Sequence, residues 1–455
     1  MHTPSFSKLL LYLMILSSGL NASAQNQEQQ IQKALVGNWE GAFIKNNSYQ
    51  KIEISFYMQD ETLMSLQVME EWHPAYGEMV LDIQIDSLGT VGFNTGYGRA
   101  ALKLDPGALE LNGSIANTTP SIYLHLKKLP KKPKPNFTTE EITVAGAAGD
   151  LYGHLHLPEN NPKKTAIIIV GGRGCYAGTT KYDLWAKVLR RYGVAVLSFN
   201  KRGTGRSAGN CATATIDDLA QDVATLNSWL RNRPERFKHI GVIGSSAGAW
   251  VAAKAQEKKS FDFMITLAGP STSVYEQQTQ SLTYGAPIYE LSEEALSEVK
   301  AYTDMVFNAP ANAASFEQFQ KFLIQADQNG WKSLLEDTDI PQSAADIEQL
   351  WVRRHNYNPK DVLKKYNNPL LAIYGEKDWI VPYQENINAL EEYFKDRPDR
   401  LTKVLAHQAG HGIETQSISV NLSDNHTYWR FFRTSPTVMI SVIDFLGKHG
   451  FIETE

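Results

Sequence analysis

A serine between two glycines, a later aspartate and a later histidine are the residues of this sequence whose types and order suit covalent catalysis. The serine is Ser246, in the stretch Gly244-Ser245-Ser246-Ala247-Gly248. This stretch follows the apolar run 240–243 and precedes the small residues 247–255, which predicts a strand, a sharp turn and a helix. Such a turn exposes the serine hydroxyl as a nucleophile. The alternative interpretation is a tight turn that carries an inert serine.

The two partners that a nucleophilic serine needs follow later apolar runs. Asp378 comes shortly after the run 370–374, and His411 comes shortly after the run 402–406. Loops at the carboxyl ends of parallel strands share one edge of the sheet, so we expect these side chains to converge on Ser246. An imidazole takes the proton of the hydroxyl, and a carboxylate holds that imidazole in one tautomer.

Each predicted member has a neighbour of the same or similar type: Ser245, Glu376 and His407. Ser245 is out of frame with the glycine motif. Glu376 lies before the predicted turn of the loop that follows the run 370–374, whereas Asp378 lies where this loop has turned. His407 lies at the end of an apolar strand, where a structural histidine is expected, whereas glycines flank His411 and leave it accessible.

Two backbone amides are expected to hold the oxyanion that forms when the hydroxyl attacks a carbonyl. One belongs to Ala247, directly after the nucleophile, and the other to Arg173, with Gly174 as the alternative. Arg173 and Gly174 both lie in the glycine-rich loop 171–175, which follows the apolar run 166–170. The guanidinium of Arg173 either is solvated or holds a substrate carboxylate, and the sequence leaves both open.

Composition excludes several classes of function. The 455 residues carry a formal net charge of −5 and a pI near 6.2, which gives no electrostatic reason to expect nucleic acid as a partner. No metal-ligand spacing occurs, so we expect neither a metal nor another cofactor. The two cysteines, Cys175 and Cys211, form either a disulfide or two buried thiols.

The first 24 residues have the features of a signal peptide. Lys8 precedes the apolar run 9–16, and Ala22-Ser23-Ala24 supplies a cleavage site. Gln25 excludes a lipid-modified cysteine at the cut. We expect a secreted protein, periplasmic or extracellular, without an integral membrane segment after cleavage, since no later run reaches 18 apolar residues. An uncleaved membrane anchor is the alternative.

Residues 30–128 alternate as half-buried strands do, which predicts a small antiparallel β-barrel or sandwich domain. The predicted strands are 51–58, 63–69, 79–86, 108–115 and 122–126. His73 and His125 are solitary and are expected to be structural or solvated. Three aromatic residues are expected in the core, with a sugar- or lipid-binding face as the alternative: Trp39, Trp72 and Tyr97. Residues 129–138, rich in lysine and proline, predict an extended linker.

From residue 139 to 455 the pattern changes to alternating strands and helices, which predicts a mostly parallel sheet with helices on both faces. The predicted strands are 166–170, 194–199, 261–268, 370–374 and 402–406, and the predicted helices are 182–192, 216–233 and 437–449. Residues 271–368 interrupt the alternation with a helix-forming composition. We interpret them as a helical lid.

These motifs together resemble the α/β-hydrolase superfamily, in particular its exported bacterial esterase and serine-aminopeptidase-like branch. The resemblance covers residues 139–450 and rests on the glycine motif around Ser246, His411, and the stretches 200–207, 267–270 and 375–378. It implies the α/β-hydrolase fold and acyl-transfer chemistry. The glycine-rich loop 171–175, called the first loop below, departs from the family pattern at Arg173 and Cys175. Related acyl-CoA thioesterases often carry a cysteine nucleophile, so the serine here favours ester over thioester cleavage.

The sequence therefore predicts a serine hydrolase that cleaves a small-molecule or glycan-linked carboxylic ester through an acyl-enzyme. Peptidase action is the nearest alternative, and it requires an acidic or polar lid pocket that captures a substrate amino terminus. Candidates for that pocket are Glu290, Glu293 and Glu294, for which a solvated helix face is the competing interpretation. A third hypothesis is a non-catalytic protein whose β domain binds glycan or lipid.

Overall fold

The computed structural model describes residues 26–45, 48–68, 78–95, 98–119, 121–130, 137–178, 183–413 and 435–453. These residues form two compact units, one before residue 131 and one after residue 136. The predicted signal peptide, Trp72, His73, Tyr97 and the middle of the predicted linker lie outside the described residues.

The first unit is a helix, α1 over residues 26–35, followed by a nine-stranded antiparallel sheet. The order of the strands across the sheet is β4-β3-β2-β1-β9-β8-β7-β6-β5. Their bounds are β1 Gly37–Lys45, β2 Ser48–Gln59, β3 Thr62–Val68, β4 Glu78–Asp82, β5 Gln84–Ile85, β6 Thr90–Thr95, β7 Gly98–Asp105, β8 Glu110–Ile115 and β9 Ile122–Lys128.

Alternation of buried and exposed side chains explains why these residues form half-buried strands. In β9, Ile122, Leu124 and Leu126 are buried, while Tyr123 and His125 are exposed. Buried aliphatic and aromatic residues from the other strands complete one core. Burying one face of a curled antiparallel sheet is enough to stabilise it.

Trp39 belongs to this core and is fully buried. Its indole Nε1 donates a hydrogen bond of 2.7 Å to the carbonyl of Leu35 in α1. Trp39 therefore packs as a core residue, as the sequence favoured, and is not part of a binding face. The sequence did not predict α1, β1, β6 or β7. It also merged β4 and β5 into the single strand 79–86.

The second unit is built on an eight-stranded sheet with the order β10-β11-β13-β12-β14-β15-β16-β17. Six neighbouring strands of this sheet run parallel: β13, β12, β14, β15, β16 and β17. The strands β10 and β11 add an antiparallel edge. The bounds are β10 Phe137–Gly146, β11 Gly149–Pro158, β12 Thr165–Val170, β13 Ala195–Phe199, β14 His239–Ser245, β15 Phe263–Leu267, β16 Leu370–Gly375 and β17 Leu401–Ala406.

Helices cover both faces of this sheet. Buried side chains of α3 and α4 pack on one face, and those of α2 and α11 pack on the other. The bounds of the helices in this unit are α2 Asp183–Arg191, α3 Ile216–Arg231, α4 Gly248–Lys258, α5 Val274–Gly285, α6 Glu293–Asn308, α7 Ala313–Gln328, α8 Trp351–Arg354, α9 Lys360–Lys365, α10 Tyr383–Tyr393 and α11 Pro436–Lys448.

The predicted fold class, a mostly parallel sheet covered on both faces and preceded by an antiparallel β domain, is confirmed. The five strands and three helices predicted from the alternating pattern after residue 139 are present, with bounds within two residues, and the strand and helix predicted around Ser246 are present as β14 and α4. The antiparallel hairpin of β10 and β11 was not predicted. Its residues were interpreted as part of the alternating pattern.

Residues 271–368, which the sequence marked as a lid, contain the helices α5 to α9. Local capping explains where the longer ones begin. The hydroxyls of Ser273 and Ser292 and the side-chain oxygen of Asn312 each accept a hydrogen bond from a backbone amide in the first turn. Glu276 also bonds back to the amide of Ser273, which completes a capping box.

Two connections hold the loop after β13 against the rest of this unit. Cys211 in that loop forms a disulfide with Cys175 in the loop after β12, so the structure adopts the first of the two alternatives for the cysteines. Arg202 in the same loop forms an ion pair with Asp222 of α3, with Nε–Oδ2 and Nη2–Oδ1 distances of 2.8 Å each. Asp222 is 1% exposed.

We expect Asp222→Asn to destabilise the protein by up to about 3 kcal/mol, because it removes the buried carboxylate of Arg202 and leaves only that of Asp218, whose side chain is 42% exposed. Urea unfolding followed by tryptophan fluorescence measures the loss. The matched control is Glu141→Gln, which removes the partner of Arg206 from an ion pair whose two side chains are each 64% exposed. Equal stability of the two variants would contradict a structural role for the buried pair.

Candidate active site

The turn at Ser246 is the tight elbow that the sequence predicts. Ser246 has a φ of +51°, a conformation that costs an L-residue energy, and its amide donates to the carbonyl of Leu267 at 2.9 Å. A Cβ on Gly248 would lie 2.3 Å from the carbonyl oxygen of Val170, and a Cβ on Gly244 would lie 2.7 Å from that of Gly248. Both glycines are therefore required by close backbone contacts.

The structure brings the three predicted side chains together. The Nε2 of His411 lies 2.9 Å from the Oγ of Ser246, and its Nδ1 lies 2.9 Å from the Oδ2 of Asp378. Ser246 follows β14, Asp378 follows β16 and His411 follows β17. All three therefore lie at the carboxyl edge of the parallel strands. With Nδ1 donating to the carboxylate, Nε2 is the basic nitrogen that faces the hydroxyl.

Asp378 is held in place by its own loop. Its side chain is fully buried, and its Oδ1 accepts hydrogen bonds of 2.9 Å from the amides of Ile380 and Val381. The Oδ2 is left for His411, whose side chain is 26% exposed. A carboxylate fixed by two amides orients the imidazole without moving itself.

Glu376 and His407, the alternatives to Asp378 and His411, contact each other instead of Ser246. Glu376 accepts a hydrogen bond from the amide of Gln408, and its Oε2 lies 2.8 Å from Nδ1 of His407. The amide of Gln408 is the main reason that the pKa of Glu376 lies below its usual value. The side chain of His407 is 78% exposed, so it is a surface residue and not the satisfied structural histidine that the sequence favoured.

The predicted oxyanion amides lie beside the nucleophile. Ala247 is the cap of α4, where the first amides have no partner within the helix. In the other loop, a Cβ on Gly172 would lie 3.0 Å from the Cβ of Ser246, so the backbone of this loop touches the nucleophile. The amide of Arg173 belongs to the peptide unit that begins at Gly172.

Lys201 fixes the orientation of that peptide unit, and the sequence did not single it out. Its Nζ donates to the carbonyl of Gly172, and to that of Gly174 at 2.9 Å. In a trans peptide the C=O and N–H groups point in opposite directions. A lysine that holds the carbonyl of Gly172 on one side therefore turns the amide of Arg173 to the other side. We infer that Lys201 is a positioning residue.

The guanidinium of Arg173 is engaged within the protein. Its Nη2 lies 2.7 Å from the Oδ2 of Asp339 and also donates to the hydroxyl of Thr338. The guanidinium carbon lies 4.2 Å from the centroid of a Trp351 ring. Of the two alternatives for this side chain, solvated or bound to a substrate carboxylate, neither describes it. It links the first loop to the lid region.

The chain matches a known family over more than half of its length. Residues 161–415 match the family described as serine aminopeptidase, S33. The chain belongs to this family. It is accordingly a serine hydrolase with the α/β-hydrolase fold, and Ser246, Asp378 and His411 lie inside the matched region. A search of curated proteins finds no match.

Solved structures with a similar fold have low sequence identity to this hydrolase. An esterase from Pyrococcus furiosus is 18% identical, with a TM-score of 0.42 over 70% of this chain and 95% of that chain. A lidless α/β serine hydrolase from Xanthomonas campestris is 16% identical, with a TM-score of 0.36 over 72% and 100% of the two chains. A proline iminopeptidase from Mycobacterium smegmatis is 14% identical, with a TM-score of 0.41 over 68% and 98%.

A pocket of about 450 Å³ opens beside the oxyanion amides of the hydrolase. One wall consists of the glycine-rich loop 171–175, which includes Arg173, and of Lys201 from the loop after β13. Ala247 and Trp250, at the start of α4, form another wall. Trp351 belongs to the wall from the lid region. The predicted lid acids lie elsewhere: Glu290, Glu293 and Glu294 are exposed and are not among the lining residues.

His355 lines this pocket as a neutral imidazole. It is 4% exposed, and the plane of its ring is 11° from that of Trp351 at a centroid distance of 4.3 Å. Burial, with the nearby charges of Arg354, Arg173 and Lys201, lowers its pKa to about 4. Its Nδ1 donates to the carbonyl of Trp351 at 2.8 Å.

Across the residues that the structure places, no set of three or more His, Cys, Asp or Glu side chains is arranged to hold a metal ion. In that same portion, no helix has the length and apolar character needed to cross a bilayer.

We expect Lys201→Met to lower kcat by about tenfold with little change in KM, because misorienting one amide costs less than the 10²–10³ lost when a donor is removed. Steady-state hydrolysis of 4-nitrophenyl acetate measures both constants. Lys201→Arg keeps a donor to the two carbonyls and should recover part of kcat. A wild-type kcat in Lys201→Met would show that the first loop keeps its orientation without the lysine.

We expect stability to fall as the pH drops from about 6.5 to about 4, since the unfolded state then binds a proton that His355 in the folded state does not. The loss contributed by this histidine is up to about 3 kcal/mol. Urea unfolding at pH 7 and pH 4.5 compares wild type with His355→Phe, which keeps an aromatic ring against Trp351. An equal pH dependence in both proteins would contradict the assignment.

Proposed function

We propose that this hydrolase is an exported carboxylesterase that cleaves small-molecule esters through a Ser246–His411–Asp378 triad. One observation carries the proposal: a single imidazole bridges the hydroxyl and the buried carboxylate, with 2.9 Å on each side. This is the arrangement that makes a serine nucleophilic near neutral pH.

In the proposed mechanism, His411 takes the proton of Ser246 as Oγ attacks the ester carbon. The amides of Ala247 and Arg173 then stabilise the oxyanion, and Asp378 stabilises the imidazolium. His411 returns the proton to the alcohol oxygen, which leaves while the acyl group stays on Oγ. Water, activated by the same imidazole, releases the acid and regenerates the enzyme.

The choice of esters over peptides depends on the charge beside the nucleophile. The family description supports peptidase action, which remains the second candidate. Capture of a substrate amino terminus requires a carboxylate close to the scissile bond. The cations Arg173 and Lys201 line the pocket, and its one lining acid among the described residues, Glu336, is exposed. The carboxylate of the nearby Asp339 is already paired with Arg173. A protonated amine is therefore disfavoured there.

Export is proposed from the first 24 residues and from the cysteines. The charged, apolar and small-residue segments have the order of a cleavable signal. The disulfide between Cys175 and Cys211 suits an oxidising compartment. We therefore place the mature enzyme in the periplasm or outside the cell.

We expect a fluorophosphonate probe to label the purified enzyme on Ser246 and on no other serine. Ser246→Ala should abolish labelling and lower hydrolysis of 4-nitrophenyl acetate by at least about 10³-fold, because the oxyanion amides alone retain only a small part of catalysis. Peptide mapping by mass spectrometry identifies the modified residue.

Ser245→Ala, one residue away, is the matched control and should retain labelling. Modification of Ser245, or unchanged turnover in Ser246→Ala, would refute the assigned nucleophile. Aminoacyl 4-nitroanilides distinguish the second candidate: faster cleavage of these amides than of 4-nitrophenyl acetate would make the enzyme a peptidase.

A further inference from the structure

A half-buried arginine of the lid region has no carboxylate partner in the pocket beside the nucleophile. Arg354 donates through Nη1 to the carbonyl of Ala214 and through Nε to that of Gln349 at 2.8 Å. Among the described residues no carboxylate oxygen lies within 4 Å of its guanidinium nitrogens, and its Nη2 makes no hydrogen bond. Guanidinium groups in such positions usually bind carboxylates or phosphates.

The other charges around the pocket do not neutralise this cation. Arg173 and Lys201 add two more positive charges, of which Asp339 balances one. Asp339 does not itself line the pocket, and its charge acts on Arg354 without a direct contact. In the part of the chain that the structure describes, the one lining acid is Glu336, which is exposed. His355 is held neutral by burial and by these cations. The pocket therefore carries a net positive charge with part of its hydrogen-bonding capacity unused.

The pocket also has apolar walls suited to a flat group. Trp250 and Trp351 line it with ring centroids 6.5 Å apart, and Leu219 and Val251 add aliphatic surface. A volume of about 450 Å³ accommodates an aromatic ring with one substituent. A ligand with an apolar body and an anionic end fits both features.

Position relative to the triad assigns the pocket to the acyl side of the substrate. Ala247 and Arg173, which carry the proposed oxyanion amides, line the pocket, whereas His411 is not among the lining residues. The leaving alcohol must lie next to Nε2 of His411 to receive its proton. The acyl group is therefore the part that extends past the oxyanion amides into the pocket.

We propose that the acyl group of the preferred substrate carries a carboxylate on an apolar, aromatic-sized body, and that Arg354 binds this carboxylate. The proposal rests on the esterase function proposed above. The chemistry is unchanged: the Ser246 Oγ–acyl bond forms as the ester C–O bond breaks, and water then releases a dicarboxylic acid.

The test uses three 4-nitrophenyl benzoates that differ only at the para position of the acid, which carries a carboxylate, its neutral isostere isopropyl, or an aminomethyl group. We expect wild-type kcat/KM for the carboxylate to exceed that for isopropyl by about tenfold or more, as for a hydrogen bond between charged groups. The aminomethyl ester, which is cationic, should be the poorest substrate.

Arg354→Gln should reduce the carboxylate-to-isopropyl ratio to about one, and Arg354→Lys should retain part of it. Lys321→Gln is the control, because it removes a lid-region cation that is 69% exposed and does not line the pocket, so the ratio should not change. Tryptophan fluorescence titrated with terephthalate provides a second measurement, in which Arg354→Gln should bind at least about tenfold more weakly than wild type.

The outcomes separate the two proposals. If the isopropyl ester is hydrolysed through Ser246 but the carboxylate ester is not preferred, or if its preference survives in Arg354→Gln, the inference about Arg354 is wrong and the esterase function stands. If only 4-nitrophenyl acetate is hydrolysed and none of the three benzoates is, the inference about the acyl group is wrong and the esterase function stands. If the acetate is not hydrolysed either, the esterase function is wrong and the inference about its substrate fails with it.

Discussion

The close packing of backbone around Ser246 is the constraint on which the site depends. The nucleophile has a positive φ, and the glycines on either side of it lie against the backbone of the neighbouring strand and helix. Such strain persists only where surrounding structure enforces it. Here the enforcing elements are β12, β14 and α4, which belong to the core of the second unit. The fold thus supplies the position of the hydroxyl before any catalytic partner is considered.

The first loop then completes the site through contacts that come from different parts of the chain. Lys201 holds two of its carbonyls, the disulfide anchors Cys175, and Asp339 pairs with Arg173. Each contact joins the loop to a segment far away in sequence. An oxyanion site made of backbone amides has no side chain of its own to orient it, so these contacts take that role. The departures of this loop from the usual family pattern, Arg173 and Cys175, are the two positions whose side chains hold it in place.

The sequence predicted those features that follow from strand order and from alternating hydrophobic residues, and it missed strands without a clear alternating pattern. The sequence could predict that Ser246, Asp378 and His411 lie together because each follows a strand, and strand order determines where those loops meet. The hairpin of β10 and β11 was missed because its pairing is local and its composition resembles that of neighbouring strands. Trp39 was assigned correctly to a core, since large aromatic residues in alternating segments are usually buried. Strands β1, β6 and β7 were missed because their alternation is interrupted by glycine and alanine.

The pocket charges were beyond sequence reasoning for a different reason. Arg353 and Arg354 are adjacent, yet the first donates to the carbonyls of Val306 and Met305, while the second lines the pocket. Nothing in their types separates them, because the difference arises from which side of a four-residue helix each occupies. The acids that the sequence offered for recognition of an amine, Glu290, Glu293 and Glu294, lie in exposed positions outside the pocket. The orientation of this short helix thus decides which arginine lines the pocket, and neither residue type nor spacing in the sequence shows that orientation.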